Sequence, residues 1–294
     1  MDLFIDKLRQ TCKDQPAWIA FPESEDSRIR SSAKQLLDEN SVAGVYFISA
    51  RQLPEFSQYG ERVKFKAPGE SALDTAAELL YRNEVQAVIA GAVETTADVI
   101  RAGIRGVGLA EGVRTVSGSF IMNKPGSHLC LYADCGAVIS PNAKQLCDIA
   151  VSSVETWQKL YPDAPPYVAF LSFSTKGSAE HESISKIHEA VSMFKEVAPK
   201  IAVDGELQFD AAFDKEIGHK KAPGSEVCGN ANIFIFPDLN SGNIAYKITQ
   251  RLAGYGAYGP ILQGLAKPFS DLSRGSTIED ILASSYINLI RGRN

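Results

Sequence analysis

No stretch of this chain approaches the roughly 18–20 consecutive apolar residues that a membrane-spanning helix requires. The opening Met1-Asp2-Leu3-Phe4-Ile5-Asp6-Lys7 lacks the basic start and apolar core of a secretory leader. Cysteine is scarce: Cys12, Cys130, Cys135, Cys147 and Cys228 contain no CxxC spacing. An odd count without close pairs argues against a disulfide framework and for a reducing, cytoplasmic setting. Only His128 lies near a cysteine, Cys130, and no second pair joins it, so no metal site is expected. Excess positive charge is missing as well. Thirty Lys and Arg against 35 Asp and Glu leave a net −5, without the basic stripe that nucleic-acid binding would need. Internal repeats, low-complexity tracts and long linkers are absent too.

What is present is a chain of 294 residues, 45% hydrophobic and 22% charged, which suits two soluble domains of ordinary size. Short β-rich runs alternate with helical patterns. Residues 18–22, 43–48 and 85–90 read as strands, with helices expected over 26–39, 71–81 and 95–104. That alternation implies parallel strands with crossover helices. Thr115–Met122 and His128–Ala133 differ, because Asn123-Lys124-Pro125-Gly126-Ser127 between them is a hairpin signal. Alternation then resumes: helix 143–160, strand 167–172, helix 183–196, strand 201–203, a short helix near Phe209, strand 232–236, helix 243–252 and a last helix over 277–290. The expectation is two α/β domains with a cleft between them. The first takes residues 1–120 plus 263–294 and the second takes 121–262. Strand ends facing such a cleft are where small-molecule sites form.

Chemistry concentrates in a few loops. Ser273-Arg274-Gly275 precedes a helix that opens with Glu279 and Asp280. An arginine fork can hold two oxygens of a phosphate or carboxylate, the helix N-terminus favours the same charge, and Asp280 could accept a proton. A competing reading is capping, since Ser276 with Glu279 and Thr277 with Asp280 both match the capping box. Gly91 to Arg101 follows a strand, with Asp98, Arg101 and Arg105 on one helix face. It reads either as an anion site or as a capped, solvated helix. Leu171 to Ser178 carries four hydroxyls, Lys176 and Gly177 without P-loop spacing, and is expected to make a donor nest. The carboxylates Asp204, Glu206 and Asp210 lack EF-hand spacing. Cys135 reads as a buried small hydrophobe rather than a nucleophile.

Taken in order, these blocks resemble the phosphate acetyltransferase (phosphotransacetylase) family, within the wider phosphate acetyl/butyryl transferases. The matching segments are Phe21-Pro22-Glu23 with Arg28, Gly91 to Arg101, Tyr132-Ala133-Asp134-Cys135, and Leu171 to Ser178. They continue through Asp204 to Ala212, Lys221 to Ser225, Phe236 to Lys247, and Gly259 to Asp280. The resemblance implies an acyltransferase that interconverts acetyl-CoA plus phosphate with CoA plus acetyl phosphate. It also implies two α/β domains like those of isocitrate/isopropylmalate dehydrogenases, a cytoplasmic homodimer in acetate metabolism, and no cofactor besides CoA as substrate.

By the same resemblance, transfer is direct, in a ternary complex, with Asp280 as base for the CoA thiol. Ser273 positions the thiol or the tetrahedral intermediate, and Arg274 and Arg101 bind phosphate and developing charge. Arg28, Ser174, Thr175, Lys176, Lys221 and Lys247 fall at substrate-binding positions. Two departures leave the proposed catalytic groups in place: Glu94 stands where relatives commonly carry histidine, and Ser276 where they carry cysteine. The stretch between Phe65 and Tyr81 is short and lacks a further basic CoA-site residue. A phosphate butyryltransferase and a non-catalytic acetyl-CoA-sensing domain are the alternatives, the second weakened by retention of Asp280 with Ser273, Arg274 and Arg101.

Overall fold

The computed structural model describes residues 3–293. In chain order the elements are α1 (Leu3–Asp14), β1 (Trp18–Phe21), α2 (Ser27–Asp38), β2 (Gly44–Ile48), a 3-10 segment (Pro54–Arg62), β3 (Val63–Lys66), α3 (Ala72–Tyr81), β4 (Ala87–Ile89) and α4 (Thr96–Val107). They continue with β5 (Ser117–Asn123), β6 (Cys130–Ala133), α5 (Ala143–Leu160), β7 (Tyr167–Leu171), α6 (Glu182–Val197), β8 (Ala202–Leu207), α7 (Phe209–Phe213), α8 (Lys215–Lys221) and β9 (Ile233–Ile235). The chain ends with α9 (Leu239–Ala253), β10 (Gly256–Gln263), β11 (Phe269–Ser270) and α10 (Ile278–Arg291). Among the described residues no helix is long and apolar enough to cross a membrane.

The chain divides into two compact units, Met1–Glu111 with Tyr258–Asn294, and Gly112–Ala257. Both divisions fall earlier than the expected 120 and 262, so the whole hairpin lies inside the second unit. In the first unit the sheet order is β11-β4-β1-β2-β3, and its neighbouring strands pair in parallel. Its central strands are apolar on both faces (Ile19, Ala20, Phe21; Ala87, Val88, Ile89), as a covered parallel sheet requires. One helix layer is α10 packed against α1, α2, β1 and β4. The other is the pair α3 and α4. α10 is buried continuously from Ile281 to Ile290, and its Tyr286 hydroxyl donates to Glu39 Oε2 at 2.8 Å. Burying that many large apolar side chains fixes the helix, and truncating one such side chain typically costs about 2–5 kcal/mol. The loop before α10 therefore hangs from a rigid element.

In the second unit β5-β6-β9-β7-β8 run side by side, with β5 and β6 antiparallel and the remaining pairs parallel. α5 and α6 pack together over β6, β7, β8 and β9, and α9 covers β5 and β6. Tyr246 of α9 stacks on Phe120 of β5 with ring centroids 4.0 Å apart. Asp134, at the end of β6, is 2% exposed and accepts backbone N–H bonds from Gly118 (2.9 Å), Gly136 (2.8 Å), Ala137 (3.1 Å) and Val138. It ties the hairpin to the turn that follows. Burial nevertheless pushes its carboxyl up, and those N–H donors offset only part of the rise.

Candidate active site

Because β1, β4 and β11 are adjacent and parallel, the loops after them leave the same edge of the first sheet. Backbone-directed side chains tie the three loops together. Glu23, just past β1, accepts from the backbone N–H of Ala92 (2.8 Å), Val93 (2.8 Å) and Glu94 (2.7 Å). Arg28, in the first turn of α2, reaches all three loops. Its Nε and Nη2 grip Asp26 at 3.1 and 2.7 Å, and Nη2 also donates to the Ala92 carbonyl at 2.9 Å. Its Nη1 donates to the carbonyls of Arg274 (2.8 Å) and Ser276 (3.0 Å). A guanidinium has five N–H donors, and all five are in use. The Arg28 fork in turn holds the Asp26 carboxyl below its usual range.

Asp271, at the end of β11, is 1% exposed, and its Oδ2 accepts from the Thr96 hydroxyl at 2.6 Å. Burial pushes its carboxyl up to about 6; Thr96 and the Leu272 N–H resist the shift, and the charge of Glu23 adds to it. Gly91 (φ 96°) lies against this carboxylate and the Leu272 backbone, so a Cβ there would overlap both. Only glycine allows the two loops to approach so closely.

On this braced edge the side chains of Ser273, Arg274 and Arg101 are exposed. The hydroxyl oxygen of Ser273 accepts from the Gly275 N–H at 3.3 Å, which leaves its proton available. Among the described residues no acceptor or ion-pair partner meets the Arg274 guanidinium, although its own carbonyl is held by Arg28. Arg101, with a side chain 66% exposed, pairs with Asp98 one turn earlier. Arg105 pairs instead with Asp74 at 2.5 Å.

Of the two capping boxes legible before α10, the Thr277–Asp280 box is formed. Thr277 Oγ1 accepts from the Asp280 N–H at 3.2 Å, and Asp280 Oδ2 accepts from the Thr277 N–H at 2.9 Å. The other candidate box, Ser276 with Glu279, is not the one that closes the helix, so capping does not leave Asp280 free. Ser276 is buried, and its carbonyl is committed to Arg28. Oδ2 of Asp280 caps, and only Oδ1 carries no bond among the described residues.

The hydroxyl-rich loop of the second unit departs further from expectation. Ser174 and Thr175 are buried, and every backbone N–H from Ser174 to Ala179 is already bonded inside the protein. The acceptor at the centre is Glu206 of β8, 1% exposed, which takes bonds from the Ser174 hydroxyl (2.8 Å), the Gly177 N–H (2.8 Å) and His188 Nε2 (2.6 Å). Burial raises its carboxyl, but these donors outweigh burial and leave it at about 2. The nest is real, and a carboxylate of the chain itself fills it. Lys176 pairs with Asp204, whose other oxygen accepts from Ser225 at 2.5 Å. Lys221 donates to Gln208 (2.8 Å) and Asp210 (2.7 Å). Lys247 is exposed and lies 5.7 Å from the ring of its neighbour Tyr246. The carboxylates Asp204, Glu206 and Asp210 are thus dispersed among separate partners. Among the described residues no three His, Cys, Asp or Glu side chains are grouped to hold a metal. Cys135 is fully buried, and burial raises its thiol well above the usual range, which disfavours a nucleophile.

Sequence reasoning did not single out Glu23, Asp271 or Glu206 as loop anchors. A carboxylate one or two residues from a strand end was the available signal. What it lacked was the identity of the neighbouring strand.

Residues 61–289 match the family model for phosphate acetyl/butaryl transferase. A phosphate acetyltransferase of Paracoccus denitrificans is 38% identical, over 98% of this chain and 98% of that protein. A solved phosphotransacetylase from Streptococcus pyogenes superposes with a TM-score of 0.89 at 34% identity, covering 99% of each chain. Another from Staphylococcus aureus gives 0.89 at 31% identity, covering 99% of this chain and 98% of its own. The chain belongs to the phosphate acetyl/butaryl transferase family.

Proposed function

We propose that this protein interconverts acetyl-CoA plus phosphate with CoA plus acetyl phosphate by direct transfer in a ternary complex. In the direction of acetyl-CoA synthesis, Asp280 takes the thiol proton of CoA through Oδ1. The sulfur attacks the acetyl carbonyl carbon of acetyl phosphate and the C–S bond forms. The tetrahedral oxyanion then collapses, the C–O bond to phosphate breaks, and phosphate leaves with the proton that Asp280 took, which restores the carboxylate. The Ser273 hydroxyl donates to the oxyanion, and Arg274 with Arg101 offsets the phosphate charge. Preorganised donors of this kind are worth about 10²–10³ in turnover each.

The observation that carries this reading is the contrast along a single loop. The Ser273–Ser276 backbone is pinned, while among the described residues the Ser273 hydroxyl proton and the exposed Arg274 guanidinium meet no partner. Lys221 and Lys247 belong to the same reading as CoA-binding groups. Lys176, which like Lys221 has one carboxylate partner and three N–H donors, belongs with them, whereas Ser174 and Thr175 enter it only as loop scaffold, since their groups are taken. The reading includes a cytoplasmic enzyme with no cofactor beyond CoA itself, and kinship with the isocitrate/isopropylmalate dehydrogenase fold.

A homodimer is the remaining part. Ile244, Ile248 and Leu252 of α9, 56, 52 and 84% exposed, form a stripe at i, i+4, i+8 suited to a second copy. Phosphate-dependent CoA release from acetyl-, propionyl- and butyryl-CoA tests the activity. We expect acetyl-CoA to be preferred, and release from none of the three would overturn the reading.

A further inference from the structure

We propose that Arg28 is a positioning residue for the Ser273–Ser276 loop and does not bind CoA. The proposal rests on the phosphate acetyltransferase reading above and departs from the substrate-binding place that resemblance gives this arginine. Its basis is donor accounting. A phosphate of CoA could be recognised by Arg28 only through N–H groups, and each of the five already has an acceptor.

Three of those acceptors are backbone carbonyls from two different loops: Ala92 after β4, and Arg274 and Ser276 after β11. The other two bonds go to Asp26, the residue that caps α2 by accepting from the Arg28 N–H at 2.8 Å. Asp26 therefore fixes both the backbone and the fork of the same arginine. By holding the carbonyls on either side of Gly275, Arg28 sets the direction in which the Ser273 hydroxyl and the Arg274 guanidinium leave the loop. Glu23 complements it from the same strand end, taking the N–H groups of Ala92, Val93 and Glu94 while Arg28 takes the Ala92 carbonyl. Arg274, one loop away and of the same residue type, is the opposite case: its guanidinium has no partner among the described residues and is free to meet an anion.

The fork geometry separates the two roles experimentally. Lysine keeps the charge that a CoA phosphate would read but cannot serve five acceptors. In Arg28→Lys, kcat for phosphate-dependent CoA release falls by about 10–100-fold while KM for acetyl-CoA changes less than about threefold. Asp26→Asn is the second variant. Asparagine still caps α2, Arg28 remains, and only the charged fork-to-fork grip is lost. Positioning predicts a fall in kcat of about threefold or more, whereas a CoA-binding Arg28, released from Asp26, would keep kcat and lower KM. If Arg28→Lys does not fold, Asp26→Asn decides alone. A raised KM for acetyl-CoA with kcat retained in Arg28→Lys, or unchanged kcat in Asp26→Asn, overturns the proposal. Inactivity of the wild-type protein with every acyl-CoA would instead overturn the enzymatic reading on which it stands.

Discussion

Arg28 donates from Nη1 to the backbone carbonyl of Arg274 at 2.8 Å, so one arginine with every donor committed fixes the loop that presents another whose guanidinium meets no partner among the described residues. The same residue type does two opposite jobs within one loop cluster. Arg274 is accordingly replaceable without cost to the fold. Arg274→Gln should leave thermal stability within about 0.5 kcal/mol of wild type, while lowering kcat by about 10²-fold. Differential scanning calorimetry beside the CoA-release assay checks both halves, and a large loss of stability would mean that Arg274 is structural.

Arg101 follows the same logic with a smaller structural stake. Its partner Asp98 shares an exposed helix face, where solvent screens such a pair and leaves it little share in stability. Arg101→Gln should therefore unfold within about 1 °C of wild type and lose most of its turnover. Retained turnover would leave Arg101 as part of a solvated face.

Asp271 gives a pH signature. A carboxyl raised to about 6 from the usual 3.8 stabilises the folded state below pH 3.8, and that contribution is lost as pH rises through 6. Above that range the buried charge costs about 3 kcal/mol. Asp271→Asn, which still accepts the Thr96 hydroxyl, should melt above wild type at pH 8 and lose the advantage by about pH 4. Melting curves across that range test it, and a difference independent of pH would contradict the assignment.

Glu206 has the opposite sign. Held at about 2 against a usual 4.5, it stabilises the fold fully above pH 4.5 and loses the contribution as pH falls toward 2. Glu206→Gln can keep an oxygen for the Ser174 hydroxyl and the Gly177 N–H but loses the charge and sets an amide NH2 where Oε2 met His188, and should cost about 3 kcal/mol at pH 7. The gap between the two melting temperatures should narrow as the buffer is taken from pH 5 to 3.

Much of the fold was legible because its signals are local. The runs at Trp18, Gly44, Ala87 and Tyr167 became β1, β2, β4 and β7, and capping residues marked the starts of α3, α4 and α10. The missed elements were weak in local pattern. β3 alternates apolar residues with lysine, β11 has two residues, and α1 lies where little beyond an apolar face marks it. At the site, the residue types of the Ser273–Asp280 loop pointed to an anion and a proton. Which box would cap α10 was undecided, because Ser276–Glu279 and Thr277–Asp280 have the same spacing. The structure forms the Thr277–Asp280 box, and the Ser276 carbonyl goes instead to Arg28, which lies 246 residues from the first carbonyl it holds. The nest at Ser174 was foreseen as a feature of backbone geometry. Its occupant, Glu206, comes from a neighbouring strand, and strand order is not written in any single segment.

The most direct test of the central claim uses Asp280→Asn, because asparagine can keep the cap through its side-chain oxygen but cannot take a proton. Single-turnover and steady-state CoA release should show kcat reduced by about 10²–10⁴-fold, KM for acetyl-CoA and phosphate within about threefold of wild type, and an unchanged melting temperature. Wild-type turnover in Asp280→Asn would contradict the account and leave Asp280 as the partner of Thr277 in a helix cap.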